Sequence, residues 1–236
     1  MLDGVKDVIK ENLDNYGNPS SLYSIGEENK IKIKQARNQI ADYLGCKADW
    51  CIFTSGASES NSMILRGAFD YANKAYGGKH MIVSTIEHHS IMDTCKYLEE
   101  YHGVEVTYVG VDEQGYVKLD ELEDAIRSDT FLISVMFVNN EIGTIQKIFD
   151  IAEIARRHGV FYHCDATQAL GKINMFGIMK DIDFLSASAH KLGGPKGIGL
   201  CVTKHEIPAL IGGTQEKSQR GGTENVLGIL GFAKAV

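Results

Sequence analysis

Seven short apolar runs, Trp50–Thr54, His80–Ser84, Glu105–Val109, Phe131–Val138, Val160–Cys164, Phe184–Ala187 and Ile198–Val202, alternate with stretches of helical apolar spacing. Alternation of this kind packs helices in layers on a sheet, so the chain is expected to adopt an α/β fold. Helices are expected at Glu27–Leu44, Ser58–Tyr76, His89–Tyr101, Asp120–Arg127 and Phe149–His158, after a first helix entered directly from Met1-Leu2-Asp3. Asp120-x-x-Glu123 has the spacing of a helix cap. With 236 residues, 44% of them hydrophobic, the chain can bury a substantial core as one large domain, or one with an appendage. Only three prolines occur, and no linker, internal repeat or low-complexity tract interrupts the pattern.

Chemistry concentrates first at Lys191. It stands in Ser188-Ala189-His190-Lys191, followed by Gly193-Gly194-Pro195-Lys196-Gly197. A lysine framed in this way can hold an aldehyde cofactor as a Schiff base, provided desolvation or a neighbouring positive charge frees part of its amine. His190 and Lys196 are the candidate neighbours. Upstream, the strand Val160–Cys164 ends at Asp165-Ala166-Thr167-Gln168. Ligands gather at such strand ends in open α/β sheets. A carboxylate there suits pyridoxal phosphate, because it keeps the pyridine nitrogen protonated and lets the ring accept a carbanion's electrons. Taken alone, an aspartate after a strand more often caps a helix.

A third element is Phe53-Thr54-Ser55-Gly56-Ala57-Ser58-Glu59-Ser60-Asn61, where a strand passes through small residues into a helix. Backbone N–H groups at such a start, aided by the Ser58 hydroxyl, suit a phosphate. No phosphate-loop pattern and no dinucleotide fingerprint is present.

Several classes are disfavoured. The net charge of −7 argues against nucleic acid as a direct ligand. No apolar stretch approaches a membrane span, and the N-terminus does not resemble a secretion signal. Five scattered cysteines fit a reducing cytoplasm. No metal is expected at Glu87-His88-His89 or at His163-Cys164-Asp165, since adjacent residues on an extended chain point to opposite faces.

Six ordered segments carry a resemblance. They are Thr54-Ser-Gly-Ala-Ser-Glu-Ser-Asn61, Glu87-His88, Val138-Asn-Asn-Glu-Ile-Gly143, His163-Cys-Asp-Ala-Thr-Gln168, Ser188-Ala-His-Lys191 and Arg220-Gly-Gly-Thr-Glu-Asn225. In this order, from about Asn15 to the C-terminus, the chain resembles the NifS/IscS-like cysteine desulfurases, class V enzymes of fold type I that use pyridoxal 5'-phosphate. The resemblance implies a three-layer α/β/α domain around a mixed, mostly parallel seven-stranded sheet. It assigns residues 1–236 to an incomplete cofactor-binding large domain, short at both ends, without the smaller C-terminal domain.

The resemblance also implies roles. Lys191 would hold the cofactor and move the substrate α-proton, with His88 facing the ring and shuttling protons. Asp165 would pair with the ring nitrogen, Gln168 with the phenolic oxygen, and Asn140 would lie near that oxygen and the substrate. Ala57, Ser58, Ser188 and His190 would hold the phosphate, and Thr223 would reach the phosphate of a second subunit, implying a homodimer. L-cysteine would be the substrate, alanine the product, and an enzyme persulfide the sulfur donor for iron–sulfur clusters and thio-modified tRNA through an acceptor or scaffold protein. Family members carry the persulfide cysteine and a carboxylate-binding arginine well beyond Gly-Thr-Glu-Asn. Cys46, Cys51, Cys95, Cys164 and Cys201 fall on expected helices or strands, where buried, inert thiols are usual. The family shows His where this chain has Tyr23, and Thr where it has Ser58. Open alternatives are an inactive pyridoxal phosphate fold serving in binding or assembly, a selenocysteine lyase, a cysteine-sulfinate desulfinase and a related class V aminotransferase.

Overall fold

The computed structural model describes all 236 residues. Strands β2 (His80–Ser84), β4 (Thr130–Ser134) and β6 (Phe184–Ser188) are buried at every position. Continuous burial is what strands covered on both faces require. With β1 (Cys51–Thr54), β3 (Glu105–Val109), β5 (Phe161–Asp165) and β7 (Gly199–Thr203) they form one seven-stranded sheet in the order β1-β7-β6-β5-β4-β2-β3. Only β7 runs against its neighbours, pairing antiparallel with both β1 and β6. The remaining pairs are parallel, so the sheet is mixed and mostly parallel as expected.

Helices α1 (Asp3–Asn12), α2 (Ser24–Leu44), α3 (Ala57–Tyr76), α4 (His89–His102), α5 (Leu119–Asp124), α6 (Ile148–His158) and α7 (Val226–Ala235) cover the sheet. The core divides accordingly. Ile33 and Ile40 of α2, Ile151 of α6 and Phe232 of α7 join the larger apolar cluster, while Met63 and Ile64 of α3 and Leu98 of α4 join the smaller.

Several expectations need correction. The fourth expected strand, Phe131–Val138, ends at Ser134. Beyond that point the Glu87 carboxyl oxygen Oε1 accepts from Met136 N at 2.9 Å, replacing the strand neighbour on the β2 side. Val135 N and Phe137 N still donate to the β5 carbonyls of His163 and Asp165. Asp120 caps nothing: α5 starts at Leu119, its N-cap is Lys118, and Glu123 instead binds Arg157 and His158. Cys46 lies in the turn after α2 and is partly exposed, whereas the other four cysteines are buried as expected.

Helix α7 had no counterpart in the sequence reading. Its Val226-Leu-Gly-Ile-Leu-Gly-Phe sequence is apolar on nearly every side and shows no amphipathic stripe. It packs between α1 and α2, with Gly231 closing against Pro195 and Ile9.

Candidate active site

The parallel strands all end at one edge of the sheet, and β1 points to that edge too, because β7 runs antiparallel to both β1 and β6. Residues that follow β1, β2, β4, β5 and β6 therefore surround one cavity of about 480 Å³. Ser55 to Glu59 come from the β1–α3 turn, His88 from the turn after β2, and Asn140 from the loop beyond β4. Asp165, Thr167 and Gln168 come from the end of β5, and Ser188, His190 and Lys191 from the end of β6.

Asp165 is 5% exposed, and both of its oxygens are engaged by N–H donors. Thr167 N donates to Oδ1 at 2.9 Å and Asn61 Nδ2 to Oδ2 at 2.8 Å. A buried carboxylate that accepts two such bonds is held in one orientation with its charge compensated. Across the cavity Lys191 sits in a 3-10 turn, Ala189–Leu192, and is solvent-exposed.

The β1–α3 turn leaves an open helix start. Gly56 is the N-cap of α3, and no side chain caps it. A Cβ on Gly199 would lie 2.5 Å from the Gly56 backbone, so glycine at the head of β7 lets this turn sit against the sheet. Glu59 ties the turn down by accepting from Ser55 N at 2.6 Å and from Arg220 Nε at 2.8 Å. The first N–H groups of α3, with the Ser58 hydroxyl, thus border the cavity beside Ser188, His190 and Lys196. This is donor-rich, positively biased surface of the kind that holds an anion. His190 Nδ1 is 3.1 Å from Ser188 Oγ, and burial, then the Lys191 and Lys196 charges, hold its pKa below the usual histidine value.

His88 is the N-cap of α4, its Nδ1 accepting from Ser90 N at 3.1 Å. Its proton therefore sits on Nε2 when the ring is neutral. Asn139 makes the turn after β4, its Oδ1 accepting from Glu141 N and Ile142 N, and this places Asn140 at the cavity edge. Gln168 Oε1 accepts from Lys172 Nζ at 2.8 Å. Nine of the ten expected site residues meet at this cavity. The tenth, Thr223, is exposed and does not line it.

Behind the cavity lies a polar layer that sequence reasoning missed. Buried Asn61, Ser186, His163 and Ser134 form a chain of hydrogen bonds leading away from Asp165. Burial holds the His163 ring well below the usual histidine range, so it is neutral. Glu87, directly before His88, is also buried, and its carboxyl is pushed up to about 8 by burial.

A lysine and a buried aspartate facing an uncapped helix start, at the carboxyl edge of a mostly parallel sheet, define a class of anion-holding, amine-bearing α/β site. The chain belongs to the class-V aminotransferase family, whose model matches residues 3–236. Within that family, curated relatives include the cysteine desulfurases IscS of Dictyoglomus turgidum, 44% identical over the whole chain, and of Methanosarcina thermophila, 48% identical over 94% of it. The chain spans 59% and 55% of those two proteins, little more than half their length. Among solved structures, a NifS-like protein superposes with a TM-score of 0.95 at 38% identity, over all of this chain and 65% of its own. SspA, solved in complex with cysteine, gives 0.93 at 39% identity over all of this chain and 69% of its own.

Proposed function

We propose that the cavity holds pyridoxal 5'-phosphate and that residues 1–236 are the cofactor-binding large domain of a cysteine desulfurase. The observation that carries this reading is the buried, doubly hydrogen-bonded Asp165 facing the same cavity as Lys191 and the uncapped start of α3. The donor set suits the group: N–H and hydroxyl donors for a phosphate at one side, a carboxylate for a protonated ring nitrogen at another, and a primary amine for an aldehyde. When bound, the cofactor supplies an electron sink that stabilises negative charge on the substrate carbon beside its amino group.

The remaining steps belong to side chains of this chain. Lys191 would hold the cofactor through its amine, and Lys191 Nζ is the group placed to move the proton on the substrate α-carbon. Asp165 keeps a proton on the ring nitrogen, and the Ala57 and Ser58 N–H groups, with Ser188 and His190, bind the phosphate. Gln168 would hydrogen-bond the phenolic oxygen, and Asn140 would lie near that oxygen and the substrate. His88, with Nδ1 engaged by Ser90, moves protons through Nε2. L-cysteine is the substrate and alanine the product.

Sulfur passes to a thiolate other than the five of residues 1–236, since none of these lines the cavity: the Cys51, Cys95, Cys164 and Cys201 thiols are buried and pushed up, and Cys46, whose thiol is lowered by its hydrogen bond with Cys51, lies in the turn after α2, away from the site. From there it moves to an acceptor or scaffold protein for iron–sulfur clusters and thio-modified tRNA. The protein works as a cytoplasmic homodimer in which exposed Thr223 serves the partner's phosphate site.

The test is sulfide release by the protein that carries this chain, under reductant, with cysteine, selenocysteine and cysteine sulfinate assayed side by side. Cysteine is expected to be the preferred substrate, and Asp165→Ala is expected to lower turnover on the order of 10²–10³-fold. Turnover unaffected by Asp165→Ala, or a marked preference for one of the other substrates, overturns the assignment.

A further inference from the structure

Asn61 is fully buried in the second turn of α3, and its one amide serves two functional groups at once. Nδ2 lies 2.8 Å from Asp165 Oδ2 and 2.8 Å from Ser90 Oγ, while Oδ1 accepts from Ser186 Oγ. Ser90 Oγ is in turn 2.9 Å from His88 Nδ1. Behind Ser186, His163 Nε2 stands 3.1 Å from the hydroxyl, and His163 Nδ1 stands 2.8 Å from Ser134 Oγ.

Donor and acceptor rules give this chain one polarity. An ionised carboxylate only accepts, so the Asn61 NH₂ must face Asp165 and its carbonyl must face Ser186. Ser186 then spends its proton on Asn61, and its oxygen accepts from His163. A neutral His163 therefore carries its proton on Nε2 and takes the Ser134 hydroxyl on Nδ1. On the other branch, the second Asn61 hydrogen goes to the Ser90 oxygen, which leaves the Ser90 proton for His88 Nδ1. A flipped amide would set a carbonyl against the Asp165 charge with no water to separate them.

We infer that Asn61 is a positioning residue of the site, whose single amide orients the Asp165 carboxylate and, through Ser90, the His88 ring. The inference rests on the proposed cofactor reading for its consequence and on the hydrogen-bond polarity for its geometry. The two are tested separately.

Two variants carry the test. Asn61→Leu keeps roughly the side-chain volume and removes both donors, whereas Asn61→Asp can donate only while it is protonated. The first measurement is ¹⁵N NMR of the histidine rings in cofactor-free protein. Wild type is expected to show His163 as a single Nε2–H tautomer, and Asn61→Leu a mixture, because Ser186 is freed to turn its proton toward the ring. Unchanged His163 resonances in a folded Asn61→Leu variant overturn the inference.

The second measurement is pyridoxal 5'-phosphate affinity from about pH 6 to about pH 9, expressed relative to wild type at each pH. Asn61→Leu is expected to bind about tenfold more weakly throughout, the scale of one lost hydrogen bond to a charged group. Asn61→Asp is expected to match wild type at the acid end and to weaken steadily toward the alkaline end. An Asn61→Asp ratio that does not change with pH shows that the residue only fills space and overturns the inference. Failure of wild type itself to take up the cofactor defeats the proposed function, and the His163 resonances still decide the role of Asn61.

Discussion

Glu216→Ala is expected to destabilise the folded chain by about 3–5 kcal/mol, the cost of leaving one member of a buried ion pair without the other. The Glu216 side chain is 2% exposed and that of Arg37 17%. The two are joined as a fork, Nη1 to Oε2 at 2.7 Å and Nη2 to Oε1 at 2.6 Å. Glu216 Oε2 also accepts from Phe53 N at 2.8 Å, while the Arg37 guanidinium donates to the Cys51 carbonyl and lies over the Phe53 ring. The pair thus fastens α2 and β1 to a segment 179 residues away from Arg37.

That segment would not hold its shape unaided. Glu216, Lys217 and Ser218 all have positive φ, at 45°, 58° and 64°. Left-handed backbone costs roughly 1–2 kcal/mol per non-glycine residue, so three in succession persist only where side chains overdetermine them. Lys217 adds an ion pair with Asp49, but an exposed one of small value. Arg37→Leu is expected to lose a comparable amount. The double variant Arg37→Leu, Glu216→Leu should lose much less than the two single effects together, because no unpaired charge remains. Urea unfolding of the three variants measures this, and additive losses would contradict the pairing.

The second large effect is a loss of stability toward alkaline pH that Glu87→Gln removes. Glu87 Oε1 accepts from Ser84 Oγ and from Met136 N, while Oε2 is buried with no partner. Burial raises this carboxyl from 4.5 to about 8, against the Ser84 and Met136 hydrogen bonds and with a further push from the Asp165 charge. In the folded chain the group is therefore protonated at neutral pH, whereas in the unfolded chain it is ionised. The stabilising contribution is whole below about pH 4.5 and is lost as pH rises through about 8. A displacement of this size corresponds to at most about 5 kcal/mol.

Glutamine keeps the acceptor for Ser84 and Met136 and carries no titrating proton. Unfolding free energies of cofactor-free wild type and Glu87→Gln, compared between about pH 5 and about pH 9, are expected to diverge by about 3–5 kcal/mol in favour of the variant at the alkaline end. Parallel curves would mean that Glu87 is ionised in the folded chain.

What the sequence made legible follows from the range of the interactions involved. All seven strands stand within a few residues of their expected places, because strands covered on both faces are short apolar runs visible locally, the partly exposed edge strand β3 being the exception. Lys191, Asp165 and the Ser55–Glu59 turn could be placed at strand ends for the same reason, and the edge those ends share brings them together. Three features were not visible. Helix α7 is apolar all round and so lacks the periodicity that marks a surface helix. The Arg37–Glu216 pair joins positions far apart in the chain, and nothing local in Gln215-Glu216-Lys217-Ser218 announces left-handed backbone. Asn61 was included only as the end of a motif. Its place one turn beyond the helix start, on the face toward β5 and β6, is what turns an ordinary helical asparagine into the partner of Asp165.

Covalent attachment of the cofactor at Lys191 is the claim on which the functional reading depends. Protein carrying this chain, incubated with pyridoxal 5'-phosphate and reduced with borohydride, should gain one pyridoxyl phosphate mass located by peptide mapping at Lys191, and Lys191→Ala should gain none. A reduced label on another lysine, or one that survives in Lys191→Ala, contradicts the account.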